Sequence, residues 1–398
     1  MKSYTLEVSN NVQWIGVLDK GLVTFDVIME TLYGSTYNSY LVEKQVIVET
    51  VKESFYPIFL ENIKKHTKLE NIKYVVVNHT EPDHSGSLKN LIEDIPEIIV
   101  VGSMSAIRYL KDLLGFEFKH LVVKDGDTLN IGESELKFIS APNLHWPDSM
   151  YTWYEKDGIL FTCDSFGSHF CNELMFDDLV GNFDDAFKYY FEVILKPFSK
   201  FMLRAIEKTE NLPIKSICTG HGPILRSNWK KYIELSKKYS NEALTTLNTK
   251  KVLVTYVSAY HNTQILANWI SEGIKRADSE MEVSIIDLEH IKNNELAKEI
   301  ETSNAYLIGS PTINQNTLPQ IYNFFSLINP IVDRGKLAGS FGSYGWSGES
   351  AQIIKSNLQN LKLEFFGEGI FIKFSPHQEE YKKCIEYGFN FANRLLNK

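Results

Sequence analysis

Four side chains able to hold a metal ion stand within six residues: His79, Glu81, Asp83 and His84. They follow an apolar run, Tyr74 to Val77, that reads as a buried strand. Ser85-Gly86-Ser87 behind them opens a helix. The strand period of two puts His79, Glu81 and Asp83 on one side of an extended segment, and Asp83-His84 then turns the corner. Carboxylates this crowded repel one another, and all four groups resist burial without a cation. The bland alternative is a polar loop at a strand end. It suits any one of these residues better than all four at this spacing.

Such a cluster needs partners, and three candidates also stand at the ends of apolar segments. His145 follows Phe138–Leu144, Asp164 follows Ile159–Cys163, and His221 follows Ile217–Thr219 between two glycines. Each has a plainer role open to it. His145 could pack on Trp146, and Asp164 could cap a helix over Ser165–His169. Their shared position at strand ends favours one site built by loops. Seven side chains exceed what one metal uses, whereas two metals can share a carboxylate. Asp164 is the natural bridge, with His79, Glu81 and His145 on one metal and Asp83, His84 and His221 on the other. Four imidazoles and three carboxylates suit iron or manganese as well as zinc. Cys163 is expected to point away if its strand continues.

The elements that must position these groups follow from periodicity. Strands are expected at Val12–Leu18, Ser39–Val42, Gln45–Thr50, Ile98–Val101, Leu121–Val123, Thr128–Ile131 and Leu136–Ala141. Thr152–Glu155 and Gly158–Thr162 read as a hairpin. Helices are expected at Phe55–Lys65, Leu88–Ile95 (closed by Pro96) and Ser103–Leu114 (capped by its serine), with a long stretch over Asp184–Ile206 broken at Pro197. This half reads as an α/β sandwich of layers. After a charged helix, Asn228–Ala243, the polar stretch Thr245–Lys250 reads as a linker, with the boundary near Asn248 (domains 1–248 and 249–398).

Past the linker, strand and helix alternate at short intervals, which predicts a doubly wound parallel sheet. Expected strands are Val252–Tyr256, Glu282–Asp287, Ala305–Ile308, Lys336–Phe341 and Phe371–Phe374. The turn holding Ser258, Tyr260, His261, Asn262 and Thr263 lies between a strand and a helix N-terminus, where backbone amides and the helix dipole attract an anion. Two later loops also follow strands. One carries Pro311, Thr312, Ile313 and Asn314. The other carries Ser343, Tyr344, Gly345, Trp346, Ser347 and Gly348, with aromatics placed to cover a flat ring. A core role for Trp346 is the alternative. No GxGxxG follows the strand, which argues against a dinucleotide.

The chain as a whole bounds these readings. Its 398 residues suffice for two domains with full cores. A formal charge of −9 and the lack of a basic stripe argue against a nucleic-acid partner. No apolar stretch approaches the ~20 residues of a membrane span. The four cysteines form no CxxC pair, and the N-terminal residues lack a signal-length apolar region, so a reducing cytoplasm is expected.

The HxExDH pattern, with the later His145, Asp164 and His221, resembles the metallo-β-lactamase superfamily. The hydrolases of that superfamily carry HxHxDH; here Glu81 replaces the second histidine. That replacement makes the site more anionic and is similar to the flavodiiron proteins. Leu144–Met150 (LHWPDSM), Asp164–His169 (DSFGSH), Lys188–Tyr190 (KYY) and Gly220–Pro223 (GHGP) match as well, and the second half resembles a flavodoxin domain. Its turn departs from the common form, with His261-Asn262 in place of glycine and serine.

The resemblance implies an αββα metallo-β-lactamase-like sandwich followed by a flavodoxin-like sheet. It implies two non-haem iron ions and FMN. It places His169 beside the diiron pocket as a hydrogen bonder or proton donor that does not ligate. The implied activity is reduction of dioxygen to water, of nitric oxide to nitrous oxide, or both. It implies a head-to-tail homodimer or a dimer of dimers. No CxxC pair of a rubredoxin module is present, so a separate donor is expected, such as rubredoxin or a reduced deazaflavin. Two rival readings are a di-zinc hydrolase with a flavodoxin tail and a non-catalytic flavin electron carrier or redox sensor.

Overall fold

Apolar residues that alternate along a strand are divided here between two cores. Val46, Val48 and Val76 pack in one core, while Ile47, Val75 and Val77 pack in the other. A strand buried on both faces needs an apolar residue at every position, which explains the unbroken runs Val46–Val48 and Tyr74–Val76. The computed structural model describes residues 3–27, 29–245 and 250–398. It divides into two compact units, Met1–Thr245 and Thr246–Lys398. The boundary expected near Asn248 lies outside the described residues.

In the first unit, one sheet runs Leu6–Ser9, Val12–Trp14, Tyr40–Val42, Val46–Val48, Tyr74–Val76, Ile99–Ser103, His120–Val123. A second sheet runs Thr128–Asn130, Glu135–Ser140, Met150–Tyr154, Ile159–Cys163, Ser216–Thr219. One core unites both sheets through Val48, Val76, Phe138 and Phe161. The other joins the sheets to helices, through Phe59, Leu91 and Ile107 and through Met202, Ile206 and Tyr232. These are the layers of an αββα sandwich. Ser103 caps Met104–Leu114 by accepting from Ala106 N at 3.1 Å.

The extended reading of the metal motif needs correction. The strand ends at Val76, and Pro82–Ser85 forms a single helical turn. Proline suits a first helical position because the N–H it lacks would be unpaired there. Asp83 is therefore not part of a strand alternation. No helix covers Ser165–His169 either, so Asp164 caps nothing there. Cys163 has φ +50°, so its strand does not continue through Asp164. The long helical stretch breaks earlier than Pro197: Asp184–Tyr190 passes into a π-turn at Phe191–Leu195 and a 3-10 turn at Lys196–Phe198 before Ser199–Thr209.

In the second unit the sheet order is Glu282–Asp287, Lys251–Tyr256, Ala305–Gly309, Leu337–Tyr344, with Glu364–Phe365 and Ile370–Lys373 both beside the last. All these pairs are parallel. Val252, Val254 and Leu307 face the helices Asn262–Ala277 and Gln378–Leu396, and Leu253, Tyr306 and Ile308 face the opposite layer. The helix Asn293–Thr302, which the periodicity did not single out, packs in that layer through Leu296 and Ile300. Among the described residues no helix is long and apolar enough to cross a membrane.

Candidate metal centre and flavin face

The seven donors converge because the four segments that carry them follow the strands Tyr74–Val76, Glu135–Ser140, Ile159–Cys163 and Ser216–Thr219. The helical turn Pro82–Ser85 is fastened by Thr50, whose N and Oγ1 both donate to His84 O at 2.7 Å. Ser85 Oγ donates to Thr80 O at 2.7 Å. This short turn brings Asp83 and His84, neighbours in sequence, to the same centre. His221 arrives from the strand Ser216–Thr219. Gly220 before it leaves room for His84: a Cβ there would lie 2.7 Å from His84 Cε1. Gly222 after it has φ +76° and packs against Ser168.

The donors fall into two groups. Glu81 Oε2 lies 3.1 Å from His79 Nε2 and 2.9 Å from His145 Nε2. Asp83 Oδ2 lies 3.0 Å from His221 Nε2 and 3.5 Å from His84 Nε2. Asp164 stands between them. Its Oδ2 is 3.5 Å from His79 Nε2 and 3.6 Å from His145 Nε2, and its Oδ1 is 3.0 Å from His84 Nε2 and 3.5 Å from His221 Nε2. Six of the seven are buried, and His145 alone is half-buried.

These residues fit a pair of cations. Both oxygens of Asp83 and Oδ2 of Asp164 are buried without a hydrogen-bond partner, although imidazole nitrogens lie 3.0–3.6 Å from Asp83 Oδ2 and Asp164 Oδ2. Donor atoms this close yet not aligned for hydrogen bonds suit ligands that share a metal. Buried carboxylate oxygens left unpaired would otherwise be strongly unfavourable. Burial pushes the Asp164 carboxyl up, but the charges of His84, His79 and His145 outweigh it and hold the group well below its ordinary range. Burial pulls His84 down, yet Asp83 and Asp164 carry it up to about 10. The centre thus gathers positive charge, and a metal binding there competes with protons.

Surrounding groups set the ring orientations. His221 Nδ1 donates to Thr36 O at 2.6 Å, which leaves Nε2 for the centre. Tyr190 OH donates to Asp164 Oδ1 at 3.0 Å. His79 Nδ1 is 3.3 Å from Asp148 Oδ2. His169 belongs to neither donor group. It is buried, its Nδ1 is 2.8 Å from Ser35 Oγ, and its ring lies 5.0 Å from that of His221 and 4.4 Å from that of Phe25. Burial and the neighbouring His221 hold its pKa well below the ordinary histidine value. Glu49 and Cys163 also come close to His84, with one donor atom of each of the three within 4.8 Å of the others. Burial pushes Glu49 up to about 8.

Sequence reasoning missed Tyr190, Asp148, Glu49, Ser35 and Phe25. Asp148 lies inside LHWPDSM and Tyr190 inside KYY, so a signal was present for those two. Glu49, Ser35 and Phe25 carry no local pattern.

The residues read as a flavin face sit on three loops at the carboxyl ends of adjacent strands, Lys251–Tyr256, Ala305–Gly309 and Leu337–Tyr344. His261 takes a left-handed φ of +62° and leads into the helix Asn262–Ala277. Ser258 Oγ accepts from Gln264 N at 3.3 Å, and buried Thr263 meets Ser343 Oγ at 3.3 Å. Thr312 N donates to Ser343 O at 3.0 Å, and Thr312 Oγ1 lies 2.6 Å from Ser350 Oγ. The loop with Pro311 and Ile313 turns through Asn314, at φ +51°. Tyr344 ends its strand, and Gly345, Trp346, Ser347 and Gly348 lead into the helix Glu349–Asn360. Trp346 and Tyr260 are each 85% exposed, so Trp346 is no core aromatic. Phe374, 62% exposed, lies beside Gly345 at the same end and was missed.

Comparison with known proteins follows the same division. Residues 36–222 match the ODP family beta lactamase model, and residues 254–388 match the flavodoxin model. Flavo-diiron protein FprA2 of Clostridium acetobutylicum is 38% identical over 98% of this chain and 99% of its own. The anaerobic nitric oxide reductase flavorubredoxin of Escherichia coli is 34% identical over 98% of this chain and 82% of its own. Among solved structures, rubredoxin oxygen:oxidoreductase from Desulfovibrio gigas matches with a TM-score of 0.68 at 25% identity, over 99% of both chains. Identity of this extent, sustained through both halves, means that the chain belongs to the flavo-diiron protein family.

Proposed function

We propose that this protein is a flavodiiron oxidoreductase, which takes electrons from a separate reduced protein or deazaflavin and reduces dioxygen to water, with nitric oxide reduction as a second activity. The observation that carries this reading is the placement of Asp164 between two donor groups in a chain that also carries a flavodoxin domain. His79, Glu81 and His145 would hold one iron, Asp83, His84 and His221 the other, and Asp164 both. FMN would sit on the three loops of the second unit. The iron pair supplies a binding place for the oxidant, and FMN supplies electrons to it.

The protein's own groups set the conditions for that chemistry. His221 is fixed by the Thr36 carbonyl and His79 by Asp148. The Tyr190 hydroxyl holds Asp164 in place. Phe25, Tyr37 and Tyr190 wall the His221 side with aromatic rings, which keeps water away from the buried donors. His169, neutral because it is buried, serves as a hydrogen bonder beside them rather than as a store of charge. The head-to-tail homodimer or dimer of dimers is taken from the family resemblance; exposed Trp346 and Tyr260 leave aromatic surface that another chain would cover in it. The free cysteines fit a reducing cytoplasm.

Rapid mixing of the reduced protein with oxygen and, separately, with nitric oxide tests the reading. Iron and FMN are counted on the same sample. Two irons and one FMN per chain with fast consumption of oxygen are expected. Two zinc ions and no iron in protein from its native source would overturn it.

A further inference from the structure

The donor histidines that lie wholly inside the protein have different partners behind them. His221 Nδ1 faces a neutral carbonyl, Thr36 O, at 2.6 Å. His84 Nδ1 is buried with no hydrogen bond. Of the three, His79 Nδ1 is the one with a carboxylate at hydrogen-bond distance, Asp148 Oδ2 at 3.3 Å. Asp148 is fully buried, and its place is fixed independently of the histidine. Oδ2 also accepts from Thr80 N at 2.8 Å and Thr80 Oγ1 at 2.9 Å, and the Asp148 carbonyl accepts from Ser103 Oγ at 2.9 Å. The same loop supplies His145 to the centre and sets the Trp146 ring against His79, 5.1 Å between centroids. Glu49, the other buried carboxyl nearby, spends its hydrogen bond on Asn78 N at 2.7 Å and makes none to an imidazole.

A carboxylate behind Nδ1 fixes which nitrogen carries the hydrogen, orients the ring and makes Nε2 a stronger donor. We propose that Asp148 is a positioning residue that makes the two metal positions unequal: it holds His79 with Nε2 toward Glu81 and His145, and it gives that group a hydrogen-bonded carboxylate which the buried histidines of the other group lack. A stronger donor and a nearby anion favour the higher oxidation state, so the iron held by His79 is the last of the pair to be reduced.

This inference rests on the diiron reading. The test uses the full chain with FMN, loaded anaerobically with ferrous iron and, for the potentials, oxidised with ferricyanide before titration, as parent and Asp148→Asn. Iron affinity is read by titration, and the two one-electron reductions by potentiometry with electron paramagnetic resonance. In Asp148→Asn one of the two irons should bind about 10- to 100-fold more weakly. The later reduction should move to higher potential while the earlier one stays. Asp148→Glu, which keeps the charge, should lie closer to the parent. Parent affinities and potentials in Asp148→Asn would overturn the proposal and leave the diiron reading intact. Fewer than two metals in the parent would remove the diiron reading itself. If Asp148→Asn does not fold, the unmodified zinc-loaded protein decides by nitrogen-15 NMR of its histidines. A strongly deshielded Nδ1–H of a carboxylate-bonded ring is expected, and its absence would overturn the proposal.

Discussion

Asp164 Oδ1 lies 3.0 Å from His84 Nε2, while its other oxygen, Oδ2, lies 3.5 Å from His79 Nε2. One carboxylate thus addresses both halves of the centre. Asp164→Asn keeps the shape but replaces one oxygen with an N–H donor. Iron affinity should fall at both positions, by more than the roughly 10- to 100-fold typical of losing an outer partner. Elemental analysis after gel filtration checks this. Two irons per chain in the variant would remove the bridging role.

Glu81 Oε2 contacts both His79 and His145, so its charge sits inside one donor group. Glu81→His removes that anion and makes the group softer. The fold should survive, zinc should displace iron, and oxygen consumption by the reduced protein should be lost. Unchanged oxygen consumption at full iron occupancy would count against this account of Glu81.

Gly220 is a clearance position for a ligand. A methyl group there would stand 2.7 Å from His84 Cε1 and 3.0 Å from the carbonyl carbon of Cys163. Gly220→Ala should cost about 1–3 kcal/mol of stability through overpacking. It should also weaken metal binding at the Asp83–His84–His221 group. Denaturant midpoints and metal titration measure the two effects, and a variant matching the parent in both would show that His84 has room to move.

Trp346 projects from a glycine-flanked loop with 85% of its surface exposed. Stacking on a flat ring would use that surface. Trp346→Ala should weaken FMN retention by roughly 2- to 10-fold, on the scale of an aromatic stacking contact, and leave iron content unchanged. Flavin fluorescence during dialysis is the readout. Equal retention would take Trp346 out of the flavin site.

Glu43 joins the two sheets, accepting from Ser134 at 2.6 Å, Tyr154 at 2.7 Å and Lys156 at 2.9 Å. Burial pushes its carboxyl up, but these hydrogen bonds outweigh it and hold it below the ordinary value of 4.5. The contribution of a carboxylate lowered in the folded state is complete above the unfolded value and disappears as pH falls through the folded one. Glu43→Gln should therefore be less stable than the parent at pH 7, and the gap should close as the solution is acidified below about 4.5. Denaturant midpoints across that range decide it. A gap that stays constant with pH would assign the effect to packing alone.

The sequence by itself determined the chemical inventory of this protein. Seven donors at strand ends, Glu81 within HxExDH, and three hydroxyl- and glycine-rich loops after parallel strands are local patterns, because strand and helix periods fix where neighbouring side chains point. The layers were legible for the same reason: residues such as Val46–Val48 must be apolar on both faces. Tertiary structure decided the geometry between segments. It replaced the extended HxExD reading with the helical turn Pro82–Ser85, because Thr50 and Glu81 fasten the backbone there. It set Asp148 behind His79, 69 residues away, and Ser35 beside His169, 134 residues away. No local period encodes such pairs; they exist only when sheet register and loop closure bring distant segments to one edge.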